Sequence, residues 1–339
     1  MSDQWAEPGC HSIAEGIHRI PLRLPQDGLR AVNVYVLETD DGVVLIDGGW
    51  HRPGTYHELS AGLTRIGRSP ADIHDVLVTH IHRDHYTFAI ELRRRHGCRV
   101  HLGADEADGL RAIRELNTNV PESSLRELRR ADAGDIADRA YAATIDEPFD
   151  RSDWEQPDLW LRPGALPIAG YELHAAATPG HTKGHIIFHD RSRRLLFTGD
   201  HVLPTITPSI GFELGAWELP LSNFLRSLAL LADDDEQVML PAHGPTGGSV
   251  GKRARDLLAH HDHRFAQILT AVGALGPTTG LSVARALTWT RRDRDFATLD
   301  NFNQMVATCE TMAHLDVLVE RDVVAVNDRD GVDIFSVVR

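Results

Sequence analysis

Residues 79–85 read Thr-His-Ile-His-Arg-Asp-His, an H-x-H-x-D-H spacing that puts three imidazoles and a carboxylate into one short turn. Neutral imidazole and carboxylate are the nitrogen and oxygen donors that a divalent ion such as zinc takes. The apolar stretch Asp75-Val76-Leu77-Val78-Thr79 runs directly into His80. His82 follows two residues later, on a tight loop where both rings can converge. Asp84 and His85 open the helix expected over 84–95 and face the same space. The competing reading makes Asp84 a helix N-cap and the histidines surface groups.

Three more donors stand just beyond apolar runs. They are His181 in Thr178-Pro179-Gly180-His181, Asp200 in Thr198-Gly199-Asp200, and His243 in Pro241-Ala242-His243-Gly244. Strand ends are where α/β proteins assemble sites, and the glycines beside each donor let backbones crowd together. Tyr86, Lys183, His185 and His201 are candidates to orient a donor or meet a substrate. For Tyr86 the alternative is packing under the loop, for Lys183 an exposed loop cation, and for His201 a satisfied strand-end histidine. The run His260, His261, Asp262, His263 falls in a predicted helix, which fans its groups around the axis as a solvated face.

The elements that must position these groups read as follows. Strands are expected over 17–24, 31–38 and 42–46, the last ended by Asp47-Gly48-Gly49. A helix over 55–67, the strand into His80, a helix and a strand at 99–102 continue the pattern. Helical stretches near 105–116 and 122–142 predict an inserted helical cap over 104–160, carrying Trp154 and Trp160. Strands return at 171–177, 185–190, 194–199 and 237–241, with 185–199 a hairpin. Helices over 252–273, 281–288 and 298–319, then a hairpin through Asp330-Gly331, predict a winged-helix-like appendage. The expected domains are 1–250 and 251–339.

The ordered set H-x-H-x-D-H, His, Asp, His, with the Asp47-Gly48-Gly49 turn, resembles the metallo-β-lactamase superfamily over roughly 15–250. The resemblance implies an α/β fold, an αββα sandwich, with two Zn²⁺ at one edge (iron or manganese as alternatives). It implies His80, His82 and His181 on one ion, Asp84, His85 and His243 on the other, and Asp200 between them. Asp47 is then a carboxylate orienting a ligand histidine, or else a plain turn former. A hydroxide shared by two cations would be the nucleophile, with Asp84 orienting it or carrying its proton. An aspartate at 200 implies thioesters or related activated carbonyl compounds over β-lactams. Phosphodiester or RNA cleavage, an iron persulfide dioxygenase and a weak β-lactamase are the alternatives.

Composition bounds the rest. The chain has 339 residues, 42% hydrophobic and 25% charged, which excludes disordered, collagen-like and coiled-coil classes. The net charge of -14 argues against nucleic acid as partner. Residues 251–339 carry 11 basic against 12 acidic groups, so the appendage is expected to act as a lid, pocket wall or homodimer element. Arg253, Arg255, Arg264, Arg285, Arg291, Arg292 and Arg294 are the only arginines that could sort into a basic face there. Three scattered cysteines form no disulfide framework. No signal peptide or membrane span is read, and a cytoplasmic enzyme acting on a small molecule is expected. The wall of its pocket would be the proline-stiffened apolar loop 202–208.

Overall fold

Alternating apolar residues in the first half of the chain build a sheet with one face turned inward. The computed structural model describes residues 3–25, 29–116, 120–143, 150–211, 219–290 and 293–338. Strands β1 (His11–Ala14), β2 (Ile17–Arg23), β3 (Ala31–Thr39), β4 (Gly42–Ile46), β5 (Ile73–Leu77), β6 (Arg99–Gly103) and β7 (Leu159–Leu161) hydrogen-bond in that order. Pairing is antiparallel up to β4 and parallel from β4 to β7. A second sheet runs β12-β11-β10-β9-β8, from β8 (Gly164–Ala165), β9 (Leu173–Ala177), β10 (Ile186–Asp190), β11 (Leu195–Gly199) and β12 (Val238–Pro241).

The period-2 alternation sends Tyr35, Leu37, Val44, Ile46 and Leu77 of the first sheet against Phe188, Phe197 and Leu240 of the second. Tyr35 meets Phe197 edge-on at 5.1 Å. Helices α1 (Thr55–Thr64) and α2 (Arg83–His96) connect strands of the first sheet. Thus β5 delivers His80, β9 leads to His181, β11 to Asp200 and β12 to His243, as the strand-end reading expects.

The predicted helix over 122–142 is two helices. After α3 (Ala107–Glu115), α4 (Glu122–Arg130) stops where Asp132 takes a left-handed φ of 66°, and α5 (Gly134–Ala142) begins afresh. The Ala133 N–H bonds back to the Leu128 carbonyl at 2.8 Å and closes the first helix. A further helix, α6 (Pro220–Leu231), was not predicted, although its Leu221, Phe224, Leu228 and Leu231 are spaced for one buried face.

The chain divides into two compact units, 1–110 with 151–208 and 227–255, and 111–150 with 209–226 and 256–339. This partition differs from a single boundary near 250. The helices of the 104–160 insertion cluster with the C-terminal helices, because α4 and α5 bury their apolar faces on α9 (Asn301–Glu320). Arg130 of α4 bonds to Asp316 of α9 at 3.0 Å and to Asp333 at 2.7 Å. The Trp-bearing segment belongs instead to the first unit. Trp154 stacks on Tyr86 and Trp160 lies in β7. The two tryptophans thus group with the first unit and not with the inserted helices.

The second unit also holds part of the long α7 (Val250–Leu275), α8 (Gly280–Ala286), and β13 (Thr278–Thr279). A small hairpin, β14 (Thr288–Trp289) with β15 (Arg294–Asp295), follows. The expected terminal hairpin is β16 (Val324–Arg329) with β17 (Val332–Val337), and β13 pairs beside β17. Arg291 and Arg292 lie outside the described residues. No described helix is long and apolar enough to cross a membrane, and the three cysteines are free.

Candidate metal centre

Asp47 shapes the site from beneath. It ends β4 with a left-handed φ of 63°, a costly backbone for a residue with a Cβ. One carboxylate oxygen accepts from the Thr79 N–H at 2.8 Å and the Thr79 hydroxyl at 2.9 Å. The other accepts from His85 Nδ1 at 3.0 Å. The Asp47 carboxylate therefore fixes both the loop into His80 and the tautomer of His85, leaving His85 Nε2 to face inward. His243 is pinned in the same manner, Nδ1 donating to the Ala31 carbonyl at 2.8 Å.

Three overlapping donor groups result: His80, His82 and His181; His80, His85 and Asp200; Asp84, His85 and His243. In each, the donor atoms lie within 4.8 Å of one another. Asp200 stands between halves of the cluster. Its Oδ1 is 3.4 Å from His243 Nε2 and 3.7 Å from His85 Nε2, while Oδ2 is 3.5 Å from His181 Nε2. Asp84 Oδ2 is 3.4 Å from His243 Nε2. The structure thus brings together all seven predicted donors.

The fit to a cation is read from atoms the protein itself leaves unpaired. His80 Nε2, His82 Nε2, His85 Nε2, His243 Nε2 and Asp200 Oδ1 are buried without a hydrogen-bond partner. Buried polar groups are normally paired, and these five all belong to residues of the three donor groups. Burial pushes the pKa of His80 and His82 well below the usual imidazole value. Burial opposes the charge of His85 and His243 as well, but Asp47, Asp84 and Asp200 around His85, and Asp200 and Asp84 around His243, outweigh it. They lift His85 to about 10 and His243 to about 8. Asp84 is held well below the carboxylate range, because His85 and His243 overcome its desolvation. The pocket demands positive charge.

Two residues outside the donor set hold it. His185 accepts the Asp200 backbone N–H at Nε2 (3.2 Å), and its Nδ1 lies 2.9 Å from the Thr178 hydroxyl. Gly199 is required there. Its φ is 50°, and a Cβ would stand 2.7 Å from His185 Nε2. Glu106 escaped the sequence reading. It is fully buried just after β6, and accepts from the Ile81 N–H at 3.3 Å and from the Thr182 hydroxyl, so it ties the first donor loop to the second. Burial pushes its pKa up to about 7, and the hydrogen bonds from Thr182, Ile81 and Gly184 hold it from rising further. A lone Glu after a strand carries no sequence signal of this kind.

The remaining candidates sit otherwise. The Tyr86 hydroxyl donates to the Glu155 carbonyl at 2.6 Å, so its phenol is committed away from the donors. Lys183 pairs with Asp108 at 2.9 Å, which makes it an exposed ion-pair partner. His201 is fully buried, and desolvation lowers its pKa to about 3. In the loop after Asp200, Val202 and Leu203 are buried, and Arg253 donates to the Leu203 and Ile206 carbonyls at 2.7 and 2.8 Å. Gly244, with a φ of 100°, lets this loop close in, since a Cβ would stand 2.6 Å from Pro204 Cγ.

Comparison with known proteins agrees with this geometry. The model of the metallo-β-lactamase superfamily matches residues 27–243. Hydroxyacylglutathione hydrolase GloC of Haemophilus influenzae is 26% identical over 184 residues, 54% of this chain and 74% of that protein. Lactamase-like protein aptB of Emericella nidulans is 24% identical over 267 residues, 77% of this chain and 67% of that protein. The solved structure of metallo-β-lactamase family protein TTHA1429 from Thermus thermophilus superposes with a TM-score of 0.77 at 28% identity, covering 96% of this chain and 100% of that one. A β-lactamase domain protein from Burkholderia ambifaria shares the fold, with a TM-score of 0.76 at 22% identity over 99% of this chain and 98% of that one.

Proposed function

The chain belongs to the metallo-β-lactamase superfamily and is a metal-dependent hydrolase; from that premise we propose a dinuclear zinc enzyme that cleaves thioesters or related activated carbonyl compounds. His80, His82 and His181 would hold one ion, Asp84, His85 and His243 the other, and Asp200 would reach both. The observation that carries the reading is the placement of Asp200, whose two oxygens face His181 on one side and His85 and His243 on the other. Two divalent ions bound there would lower the pKa of water toward about 7 and stabilise negative charge developing on the substrate.

The protein's own groups supply the rest. Asp84, with Oδ2 beside His243 Nε2, would orient the attacking water and hold its proton for the leaving group. Asp47 and the Ala31 carbonyl keep His85 and His243 in the tautomer that presents Nε2. His185 fixes the Asp200 backbone. The loop 202–208 would form the apolar wall along the acyl portion. A hydroxyacylglutathione hydrolase among the relatives supports the thioester preference. The near-balanced charge of 251–339 supports no nucleic-acid role for that region.

Elemental analysis together with a turnover screen of thioester, lactone, β-lactam and phosphodiester substrates tests the proposal. About two zinc ions per chain and thioester turnover above β-lactam turnover are expected. Iron with oxygen consumption, or β-lactam or phosphodiester turnover in the near absence of thioesterase activity, would replace it.

A further inference from the structure

Helix α2 carries four arginines, and three of them are spent. Arg93 pairs with Asp158 and Glu155, Arg94 with Asp153 and Glu155, and Arg95 with Glu91. The fourth, Arg83, lies at the opposite end of the helix, between the donor residues His82 and Asp84. It is exposed, and among the described residues it has no carboxylate partner. Other cations on the loops around the site are paired, Arg52 with Glu58 and Lys183 with Asp108.

Arg83 is nevertheless held in place. Its guanidinium lies over the Trp50 ring, 4.3 Å from the centroid. Trp50 is a fixed platform, because the loop that carries it is riveted to its neighbours. The Gly49 carbonyl accepts from the Phe88 N–H at 3.0 Å, the His51 N–H donates to the Thr87 hydroxyl at 3.0 Å, and the Trp50 carbonyl accepts from the Thr55 hydroxyl at 2.9 Å. Stacking occupies the flat face of a guanidinium and leaves its in-plane N–H donors free. A planar, unspent donor fork on the residue between His82 and Asp84 is suited to a carboxylate.

We propose that Arg83, stacked on Trp50, is a specificity-determining residue that docks an anionic group of the substrate, in the first place a carboxylate. The inference rests on the hydrolase reading and narrows it to acyl compounds that carry a carboxylate away from the scissile carbonyl. The ion pair would form on the loop that carries His82 and Asp84, so a carboxylate-bearing substrate arrives already oriented.

The test is calorimetric binding of two probes that cannot be hydrolysed, 4-(benzylthio)butanoate and its carboxamide, to the zinc-loaded full chain. The carboxylate should bind about tenfold more tightly than the amide, as a bidentate charge-assisted pair implies. Arg83→Gln should erase that preference, Arg83→Lys should keep part of it, and Trp50→Leu should weaken it by releasing the fork. Arg162→Gln, the same charge loss at another exposed arginine of this unit, should leave it intact. Circular dichroism and metal content verify that each variant is folded and loaded. A wild-type protein without the preference, or a preference that survives in Arg83→Gln, overturns the inference. An Arg83-dependent preference in a protein that cleaves no thioester or ester would leave this inference standing and remove the hydrolase substrate instead.

Discussion

In the first unit His82 Nδ1 stands 3.0 Å from His181 Nε2; in the second, His261 Nδ1 stands 3.1 Å from His314 Nε2. The two nitrogen contacts are alike in length, but the rings meet edge-on in the first pair (4.6 Å, 85°) and tilted in the second (5.2 Å, 31°), and their surroundings differ. Around the first lie Asp84 and Asp200, with His85 and His243 pinned from behind by Asp47 and by the Ala31 carbonyl. Around the second lie Phe224 and Phe265, and the groups that act on the pair are the cationic or cation-forming His260, Arg264 and Arg321. His314 Nδ1 faces the Glu310 carbonyl at 2.7 Å and must donate to it, so its Nε2 accepts from His261. Its lone pair is consumed within the pair. Histidine density therefore does not make a metal centre. Rings whose outer nitrogens are tied down, with the inner ones turned on a shared carboxylate, do.

The largest effect should separate the two pairs outright. Asp200→Ala should lower turnover by about a thousandfold or more, since several kcal/mol of charge stabilisation go with it, and should lower the zinc content as well. His314→Phe should leave zinc content unchanged. Metal analysis of both variants, with steady-state kinetics, reads this contrast. Equal zinc loss in both would erase the distinction drawn above.

The second pair should instead reveal itself through pH. Burial lowers the pKa of His314 to about 3 and that of His261 well below the usual value. The folded state therefore binds fewer protons than the unfolded chain, whose histidines titrate near 6.5. Stability is complete well above pH 6.5 and is lost as the pH falls toward about 3, with His314 alone contributing a loss on the order of 3 kcal/mol at pH 4. Urea unfolding between pH 4 and 7 measures it. His314→Phe should flatten that slope, and an unchanged slope would place the acid sensitivity elsewhere.

Two smaller effects sharpen the first site. Asp47→Ala frees His85 Nδ1 and the Thr79 N–H, and should cost roughly 10–100-fold in metal affinity or activity, the usual effect of removing a partner behind a ligand. Metal-affinity titration of the purified variant reads it. Glu106→Ala leaves the Ile81 N–H and the Thr182 hydroxyl without their buried acceptor, and should destabilise the chain by about 1–2 kcal/mol. Glu106→Gln keeps an acceptor oxygen and should lose less, as thermal unfolding of the two variants would reveal. Equal losses would mean that a neutral acceptor of the same size cannot replace the carboxylate.

Much of this arrangement was legible in the residues themselves. The donor motif and the strands that end at His80, Asp200 and His243 follow from local rules, while the αββα class came from the family resemblance that the motif carries. A buried strand is a short apolar run, and a chemical group at its end needs no long-range information to be noticed. His260, Asp262 and His263 likewise fan outward on α7 as the helical spacing requires, whereas His261 on the same helix is buried. Whether one face of a helix is covered depends on what folds over it, here His314 of α9 and Phe224 of α6.

Tertiary structure alone decided the rest. Nothing in the string announces that Glu106 joins the loops of Ile81 and Thr182, that Tyr86 turns to the Glu155 carbonyl, or that 111–150 clusters with the C-terminal helices. These are contacts between residues tens or hundreds of positions apart. A side chain's partner is chosen by which surfaces the packed elements bring within hydrogen-bond reach, not by its neighbours along the chain. Residue type and spacing determine which groups could bind a cation. Their convergence around Asp200 depends on two sheets closing on one core, with Asp47 and Ala31 holding the rings from behind.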